Sequence, residues 1–263
     1  MGDKQARIIA VANEKGGVGK TVTVINLGAA LHQEGQSVLI VDVDPQFNAT
    51  RGLGVEVNAE MPTVYDLIKD KPSVKAADVI VQTAWKGLDL IPSHIDLAGA
   101  EVELVDVAGR ENRLKEALKG ISATYDFILL DTPPSLSLLT INVLAYAREV
   151  LVPCQTHPYA YEALDELFDT VFSIKAQINP DLKVTGVVAT LFDTRTRISH
   201  SIMEKLKTDE RYKDLLFDTV IRVNTTIAES AGVGKPVIFF RQSSYGSTDY
   251  ISLARELLEK RPA

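Results

Sequence analysis

The sequence predicts an α/β fold in three layers, a mostly parallel and twisted sheet with helices on both faces. Short apolar runs recur along the chain, and helix-length segments lie between them. Several of these runs are apolar almost throughout and do not alternate with polar residues, which is typical of strands covered on both faces. Strands that are connected through helices pair in parallel by right-handed crossovers.

Six apolar runs predict strands, and a seventh, weaker run is PVIFF at 236–240. The six runs occupy residues 7–13, 37–44, 88–93, 125–131, 149–154 and 183–192. Residues 21–36 predict a helix that ends near Gly35, because glycine suits the position after a helix. Residues 161–180 predict another helix, which stops before Pro180. The apolar face predicted for that helix consists of Leu164, Leu167, Phe168, Val171 and Phe172.

The composition is that of an ordinary globular protein. Of the 263 residues, 46% are apolar and 24% are charged, and Cys154 is the only cysteine, which excludes an internal disulfide framework. No apolar run is long enough to span a membrane, and the first residues lack the features of a signal peptide. We therefore expect a cytoplasmic protein without a membrane partner. No linker divides the chain, and residues 55–85 are interpreted as an insertion, so residues 1–263 predict a single domain.

The segment NEKGGVGKTVT, residues 13–23, predicts a phosphate-binding loop. It follows the first predicted strand and opens the first predicted helix, and its glycines let backbone N–H groups turn toward an anion. Lys20 is placed to reach β- and γ-phosphates, and the Thr21 hydroxyl to reach Mg²⁺. The pattern G-x-x-x-x-G-K-[ST] lacks its first glycine, because Glu14 stands there. The predicted nucleotide contacts are Lys15, Gly16, Gly17, Val18, Gly19, Lys20, Thr21 and Val22. Together with the strand pattern, the loop indicates a P-loop NTPase fold.

Three aspartates lie at the carboxyl ends of predicted strands. Asp42 and Asp44 lie in IVDVDPQFNAT, and Asp131 lies in ILLDTPPS. The carboxyl ends of parallel strands build the ligand sites of open α/β sheets, and carboxylate oxygens suit Mg²⁺. We therefore predict that these aspartates lie beside the loop.

These motifs resemble those of the ParA and MinD partitioning ATPases. The form x-K-G-G-x-G-K-[ST] resembles their deviant Walker A motif, which does not use the early glycine, and the resemblance extends over about residues 7–258. It implies an ATPase that depends on Mg²⁺ and forms a homodimer when ATP is bound, in which Lys15 crosses to the partner's nucleotide. Asp44 would orient the attacking water, Asp131 would hold Mg²⁺ through water, and Asp42 would hold the ion or stand behind a ligand.

The segment VIRVNTTIAESAGVGKPV, residues 220–237, resembles the ParA region that flanks the adenine. Arg222 and Asn224 are the candidate contacts there. The sequence departs from the family pattern at Val22, where a second threonine is usual. It also departs at His157, where glutamate is common, and at Thr226, where many chromosomal relatives carry an arginine.

The resemblance also implies non-specific DNA binding, nucleoid association and a ParB-like partner that stimulates hydrolysis. Residues 195–213 carry more basic than acidic residues, within a chain of net charge −7. The candidate DNA contacts are Arg195, which matches a ParA arginine implicated in DNA contact, and Arg197, Lys205 and Lys207. The alternative is an ordinary solvated helix, since charge runs are usually solvated.

Three other functions are open to such a chain. An iron–sulfur reductase would need cluster cysteines, and one cysteine does not supply them. A metabolic phosphotransferase would need an acceptor site, for which the sequence offers no separate motif. A related ATPase that positions a protein cargo, or that acts at a membrane, would keep the same nucleotide chemistry and change only the partner.

Overall fold

The computed structural model describes residues 5–260. The predictions for the first four residues and for the last three residues of YISLARELLEKRPA therefore lie outside the described part of the chain. Eight strands form one sheet: β1 (Arg7–Val11), β2 (Val38–Asp42), β3 (Val81–Gln82), β4 (Leu88–Ile91), β5 (Phe127–Asp131), β6 (Glu149–Gln155), β7 (Lys183–Phe192) and β8 (Leu216–Arg222). Their order is β3-β4-β2-β5-β1-β6-β7-β8, and only β3 pairs antiparallel. The predicted α/β class and mostly parallel sheet are confirmed.

Helices cover both faces of the sheet. They are α1 (Lys20–Gln33), α2 (Asn48–Gly52), α3 (Val64–Ile68), α4 (Ala76–Val79), α5 (Leu97–Glu103), α6 (Arg113–Ala117), α7 (Leu138–Tyr146), α8 (Pro158–Glu162), α9 (Leu164–Gln177), α10 (Arg197–Thr208), α11 (Thr225–Gly232), α12 (Val237–Phe240) and α13 (Tyr245–Glu259). Two short 3-10 helices lie at Arg110–Asn112 and Ile121–Ala123. None of the helices between residues 5 and 260 combines the length and apolarity needed to cross a membrane.

The strands are apolar throughout because successive side chains enter different cores. In β1, Ile8 and Ala10 pack into the core that contains α7 and α9, whereas Ile9 and Val11 pack into the core that contains α1 and α13. The same alternation holds along β2 and β5. Because both faces of these strands are buried, a polar residue on either face would be buried too. Their sequences are therefore apolar without alternation.

The predicted strand at 236–240 is wrong, because these residues form the short helix α12. Pro236 precedes the helix, and the Val237 N–H donates to the Asn26 side chain of α1 at 2.7 Å. Val237 and Ile238 are buried against α1 and α13. A short apolar run does not by itself distinguish a buried strand from a buried helix, and here the contact with α1 decides the outcome.

Two strands were not predicted, and one predicted core position is exposed. The edge strand β8 carries polar residues at Asp218 and Thr219, so its sequence has no continuous apolar run. The strand β3 is only two residues long and pairs antiparallel with β4. In α9, four residues of the predicted apolar face are buried, but Phe172 is exposed, with its ring centroid 6.3 Å from that of Phe168.

We predict that Gly186→Ala destabilises the protein, because β8 leaves no room for a methyl group at this position of β7. An added Cβ would lie 2.4 Å from a ring carbon of Phe217 and 2.6 Å from the Leu215 carbonyl oxygen. We expect the free energy of unfolding to fall by about 1–3 kcal/mol in urea titrations. Gly232→Ala is the matched control, because nothing lies within 4 Å of the added carbon. The control should be neutral or slightly stabilising, and equal effects of the two substitutions would contradict this packing.

Candidate nucleotide site

The loop between β1 and α1 curls because two of its glycines have left-handed backbone angles. Gly17 has a φ of 77° and Gly19, directly before α1, has a φ of 91°. Residues with a Cβ adopt such angles only at a cost. The curled backbone and the start of a 14-residue helix together present N–H groups to an anion.

Two neighbouring strands fix the loop from below. The Asn13 side chain donates to the Pro153 carbonyl of β6 at 2.8 Å and accepts from the Lys15 N–H at 2.9 Å. The Thr190 hydroxyl of β7 donates to the Val18 carbonyl at 2.7 Å. Hydrogen bonds to β6 and β7 therefore anchor the loop.

The residue that replaces the usual first glycine points away from the loop. The Glu14 carboxylate accepts a hydrogen bond from the Thr170 hydroxyl of α9 at 2.9 Å. A side chain at this position is therefore accommodated by α9, and the glycines that follow still form the curl.

Lys20 is buried at the start of α1. Its ammonium donates to the Lys15 carbonyl oxygen at 3.1 Å. Burial lowers the pKa of Lys20, while the nearby charges of Asp131 and Asp44 act in the opposite direction. Lys20 therefore lies near two carboxylates, and among the described residues its ammonium uses only part of its hydrogen-bonding capacity.

Asp131 is a buried carboxylate without a good protein partner. It ends β5 beside the central strand, pairs in register with Val11 and Asp42, and has no exposed surface. Among the described residues, neither of its side-chain oxygens has a hydrogen bond of good geometry. Burial, followed by the charge of Asp42, raises its pKa well above the ordinary value, and the nearby Thr21 hydroxyl only partly offsets this. Such a group is expected where a cation binds.

Asp42 has the opposite environment, although it lies directly across from Asp131. Its carboxylate accepts from the Thr50 N–H at 2.8 Å, from the Thr50 hydroxyl at 2.7 Å and from the Asp44 N–H at 3.2 Å. Burial raises its pKa to about 6 despite these donors. Because its oxygens are already occupied, the geometry favours the alternative that Asp42 supports the loop behind a ligand rather than holding a metal directly.

Asp44 is held by its own loop. One carboxylate oxygen accepts from the Gln46 N–H at 2.9 Å, and its carbonyl accepts from Ser93 and from the Phe47 N–H, each at 2.8 Å. Burial raises its pKa, against the effect of Lys20. Phe47 has a φ of 44°, an unusual angle for a bulky residue, and the Arg51 guanidinium lies 4.0 Å from its ring centroid. Asp44 is thus presented by a constrained turn.

The residues present fit Mg²⁺ bound together with phosphates. Asp131 offers unused carboxylate oxygens and Thr21 a hydroxyl beside them, and both are the hard oxygen ligands that Mg²⁺ prefers. No group of three or more His, Cys, Asp or Glu side chains within the described residues is arranged to hold a metal ion. The site therefore lacks a complete protein cage, which suits an ion that retains water and phosphate ligands.

A cavity of about 220 Å³ opens beside the loop. Apolar side chains form most of its wall, among them Val22, Leu191, Ile227 and Tyr250. Leu191 has a φ of 50°, a second strained position next to the loop. The sequence did not single out Leu191 or Thr190, and their only signal is their place near the carboxyl end of a strand.

Arg222 and Asn224 line the same cavity, but both side chains already have partners. The Arg222 guanidinium pairs with Asp249 of α13 and lies 4.2 Å from the Tyr245 ring centroid. The Asn224 side chain caps α11 by accepting from the Thr226 N–H at 2.8 Å. Both residues therefore form the wall of the cavity, and Arg222 is not a free cation.

The predicted basic segment lies on the surface, and most of its charges are paired. The Arg195 guanidinium donates two hydrogen bonds to Asp193, and Lys207 pairs with Glu204 at 3.6 Å. Lys205 lies 5.6 Å from the Tyr161 ring centroid. Arg197, at the start of α10, has no ion pair within the described part of the chain. Of the four candidate DNA contacts, Arg197 is therefore the most available.

The sheet order, the loop and the three aspartates define a P-loop nucleotide-binding protein. A family model described as an AAA domain matches residues 6–184. The chain is 44% identical over 251 residues to the sporulation initiation inhibitor protein Soj of Bacillus subtilis (strain 168). The match covers 95% of this chain and 98% of that protein. The chain belongs to the ParA/Soj family of partitioning ATPases.

Two further comparisons extend this finding. The chain is 42% identical over 255 residues to the chromosome partitioning protein ParA of Myxococcus xanthus (strain DK1622), with 97% of this chain and 88% of that protein covered. A crystal structure of cobyrinic acid a,c-diamide synthase from Mycobacterium smegmatis with bound ADP and magnesium superposes with a TM-score of 0.82. It is 35% identical, and the match covers 96% of this chain and 94% of that one.

We predict opposite effects of the isosteric substitutions Asp131→Asn and Asp42→Asn on the protein without nucleotide or metal. Asp131→Asn removes a buried charge whose oxygens have no hydrogen bond of good geometry among the described residues, and it should raise the free energy of unfolding at pH 8 by about 1–3 kcal/mol. Asp42→Asn replaces an acceptor of three hydrogen bonds and should lower it. Urea unfolding in a chelating buffer measures both.

The gain from Asp131→Asn should depend on pH in a defined direction. The folded-state pKa of Asp131 lies above its ordinary value of 3.8, so the folded protein binds more protons between these two pKa values. The free energy of unfolding of the unsubstituted protein therefore falls as the pH rises through that interval. The advantage of the variant should shrink as the pH is lowered toward 3.8, and a loss of stability at pH 8 would contradict this account.

Proposed function

We propose that this chain is an ATP-hydrolysing partitioning protein whose ATP-bound dimer binds DNA without sequence preference. One observation carries the proposal. The cation of Lys20 and the carboxylates of Asp44 and Asp131 are buried together under a loop of left-handed glycines, with bonding capacity left unused. A phosphate group with a divalent cation would satisfy both kinds of charge.

The nucleotide would lie along the loop, with its base in the adjoining cavity. The backbone N–H groups of residues 16–21 and the start of α1 would bind the phosphates, and Lys20 would reach the terminal ones. The cavity is mostly apolar and borders Val22, which suits the flat face of a base. The solved structures of the M. smegmatis synthase, which hold ADP or an ATP analogue with magnesium, support ATP as the ligand here.

Asp131 and Thr21 would hold the magnesium ion, with Asp42 behind them. When bound, the ion would neutralise charge on the phosphates. Asp42 would then keep the loop in place through its bonds to Thr50 and to the Asp44 N–H.

Asp44 would orient the attacking water, because it is buried beside Lys20 and its backbone is fixed on both sides. Lys20 would stabilise the charge that develops on the transferred phosphoryl group. Lys15 would add a second positive charge from the partner subunit. Since both active sites would be completed only in the dimer, hydrolysis would be coupled to the state of assembly.

The dimer would serve as the nucleotide-dependent switch for DNA binding. Within residues 195–213, the side chains of Arg195, Lys207, Arg211 and Lys213 are already paired with carboxylates, so two chains held together would bind much more strongly than one. A ParB-like partner would stimulate hydrolysis and release the DNA, and the protein would then exchange between the nucleoid and the cytoplasm. We propose that residues 1–263 act as one domain in this cycle. The Soj and ParA relatives, at 44% and 42% identity, support this partitioning role.

Amide synthesis is a second candidate because one similar solved structure is that of cobyrinic acid a,c-diamide synthase. That protein is less similar to this chain than Soj and ParA are, at 35% identity. ATP hydrolysis that proceeds without any carboxylic acid acceptor and rises on addition of DNA with a ParB-like partner would favour partitioning. Hydrolysis that requires an acceptor acid would favour the synthase.

We predict that Lys15→Ala abolishes the ATP-dependent dimer and spares most nucleotide binding, since the side chain would act on the partner's phosphates. Asp44→Ala should instead trap an ATP-bound dimer, because the water is no longer oriented. Light scattering with ATP measures the dimer, and fluorescent-nucleotide titration measures binding. The exposed Lys119→Ala is the control and should behave like the unsubstituted protein. Dimers of Lys15→Ala with ATP, or normal turnover by Asp44→Ala, would remove those residues from their roles.

We predict that Arg197→Gln weakens DNA binding by the ATP-bound dimer more than Arg211→Gln does. Arg197 lacks an ion pair in the described chain, whereas Arg211 is held by Asp209 and Asp165. Losing one phosphate contact from each protomer should reduce the slope of log K against log salt by roughly 2. Gel shifts at several salt concentrations measure the slope, and ATPase activity without DNA should be unchanged in both variants. Equal slopes for the two variants would show that α10 does not contact DNA through Arg197.

A further inference from the structure

The lysine expected to cross between subunits has a binding place on its own chain. The Lys15 ammonium lies 5.1 Å from the ring centroid of Tyr159, a residue of α8. A cation over an aromatic face within about 6 Å is attracted by the ring. Tyr159 is 68% exposed, so its ring lies at the surface of the protein rather than in the core.

Both polar groups of the Lys15 backbone have hydrogen-bond partners. Its N–H donates to Asn13 at 2.9 Å, and its carbonyl accepts from the Lys20 ammonium at 3.1 Å. The two lysines are therefore linked through the Lys15 carbonyl, while the Lys15 ammonium lies over the Tyr159 ring. A flexible lysine side chain can leave such a contact without any change in the loop.

The Tyr159 ring is itself held in place. Its helix begins with Pro158, whose ring fixes the backbone angle at the first helical position. The His157 ring lies 5.4 Å from the Tyr159 ring, at an angle of 47°. Position 157 is the one where the sequence departs from the family's glutamate, so at this site an aromatic ring lies beside Tyr159 in place of a carboxylate.

We propose that Tyr159 is a positioning residue that retains Lys15 on its own subunit until a nucleotide-loaded second copy of the chain draws the lysine across. This inference rests on the proposed function, because it assumes that Lys15 acts on the partner's phosphates. Every dimer then requires two lysines to leave two rings. The contact thereby raises the protein concentration needed for dimerisation and opposes association of subunits that lack ATP, where no phosphate compensates for the lost contact.

The size of the effect follows from the exposure of the ring. Exposed cation–π contacts change an equilibrium constant by roughly two- to fivefold each. Two independent contacts per dimer multiply, so their loss should favour dimerisation by roughly 5- to 30-fold. This is large enough to measure and small enough that ATP-bound dimers still form in the unsubstituted protein.

The first test detects the contact itself in the full-length protein without nucleotide. With ¹³C-labelled lysine, the ε-CH₂ resonance of Lys15, assigned through Lys15→Arg, should be shifted upfield by the ring current. The shift should persist in Tyr159→Phe, which keeps a ring, and vanish in Tyr159→Leu, which keeps only apolar bulk. A resonance at the ordinary lysine position in the unsubstituted protein would overturn the inference, as would an equal shift in all three proteins.

The second test measures assembly by sedimentation with saturating ATP and magnesium. Tyr159→Leu should reach half-dimerisation at a concentration roughly 5- to 30-fold lower than the unsubstituted protein, and Tyr159→Phe should stay within about twofold of it. An unchanged or higher midpoint for Tyr159→Leu would overturn the inference, and so would a Tyr159→Phe variant that behaves like Tyr159→Leu. Either result would mean that the ring does not compete with the partner for Lys15.

Lys15→Ala separates this inference from the proposed function. If Lys15→Ala still dimerises with ATP, then Lys15 has no role across the dimer and the proposed function is wrong at that point. If Lys15→Ala remains monomeric while Tyr159→Leu has an unchanged midpoint, the role of Lys15 stands and only the role of Tyr159 fails.

Discussion

The candidate site depends on one constraint, the burial of charge that the protein itself leaves unpaired. Asp131 ends the strand next to the central one, has no exposed surface and lacks a hydrogen bond of good geometry among the described residues. Lys20 is buried beside it. Burial lowers the pKa of Lys20 and raises the pKa of Asp131, so it favours the neutral form of each group. Such an arrangement is unfavourable in isolation and becomes favourable when phosphate and a cation arrive. The rest of the sheet supplies the rigidity that keeps these groups from relaxing toward solvent.

That rigidity connects the loop to distant parts of the chain. Asn13 ties the loop to β6 and Thr190 ties it to β7, while Asp42 ties the turn that carries Asp44 to Thr50. The strands therefore fix the loop relative to the Asp44 carboxylate, the group proposed to orient the attacking water. The Lys15 side chain, by contrast, takes no part in these hydrogen bonds and lies over the exposed ring of Tyr159.

The sequence was sufficient to predict the fold class, six of the eight strands and the clustering of the loop with three aspartates. Those features depend on local pattern and on the rule that parallel strands end at one edge. It was not sufficient to separate Asp42 from Asp131, because Thr50 supplies two of the three hydrogen bonds that distinguish them. The same limit explains why PVIFF was predicted as a strand. Asn26, in a helix far away in the sequence, stabilises the start of α12. The pairing of Arg211 with Asp165 also joins two segments that are far apart in sequence.

The cations that the proposed dimer would use are mostly occupied within a single chain. Most basic residues of the 195–213 segment are neutralised by neighbours, and Lys15 rests on Tyr159. Surface ion pairs of this kind are individually weak, so a polyanion could compete for them. A single chain would bind such a polyanion weakly. Two chains that present the same surface together would bind it much more strongly, because the binding contributions of the two surfaces multiply. Under the proposed function, this intramolecular pairing would make DNA binding depend on the dimer, and hence on nucleotide.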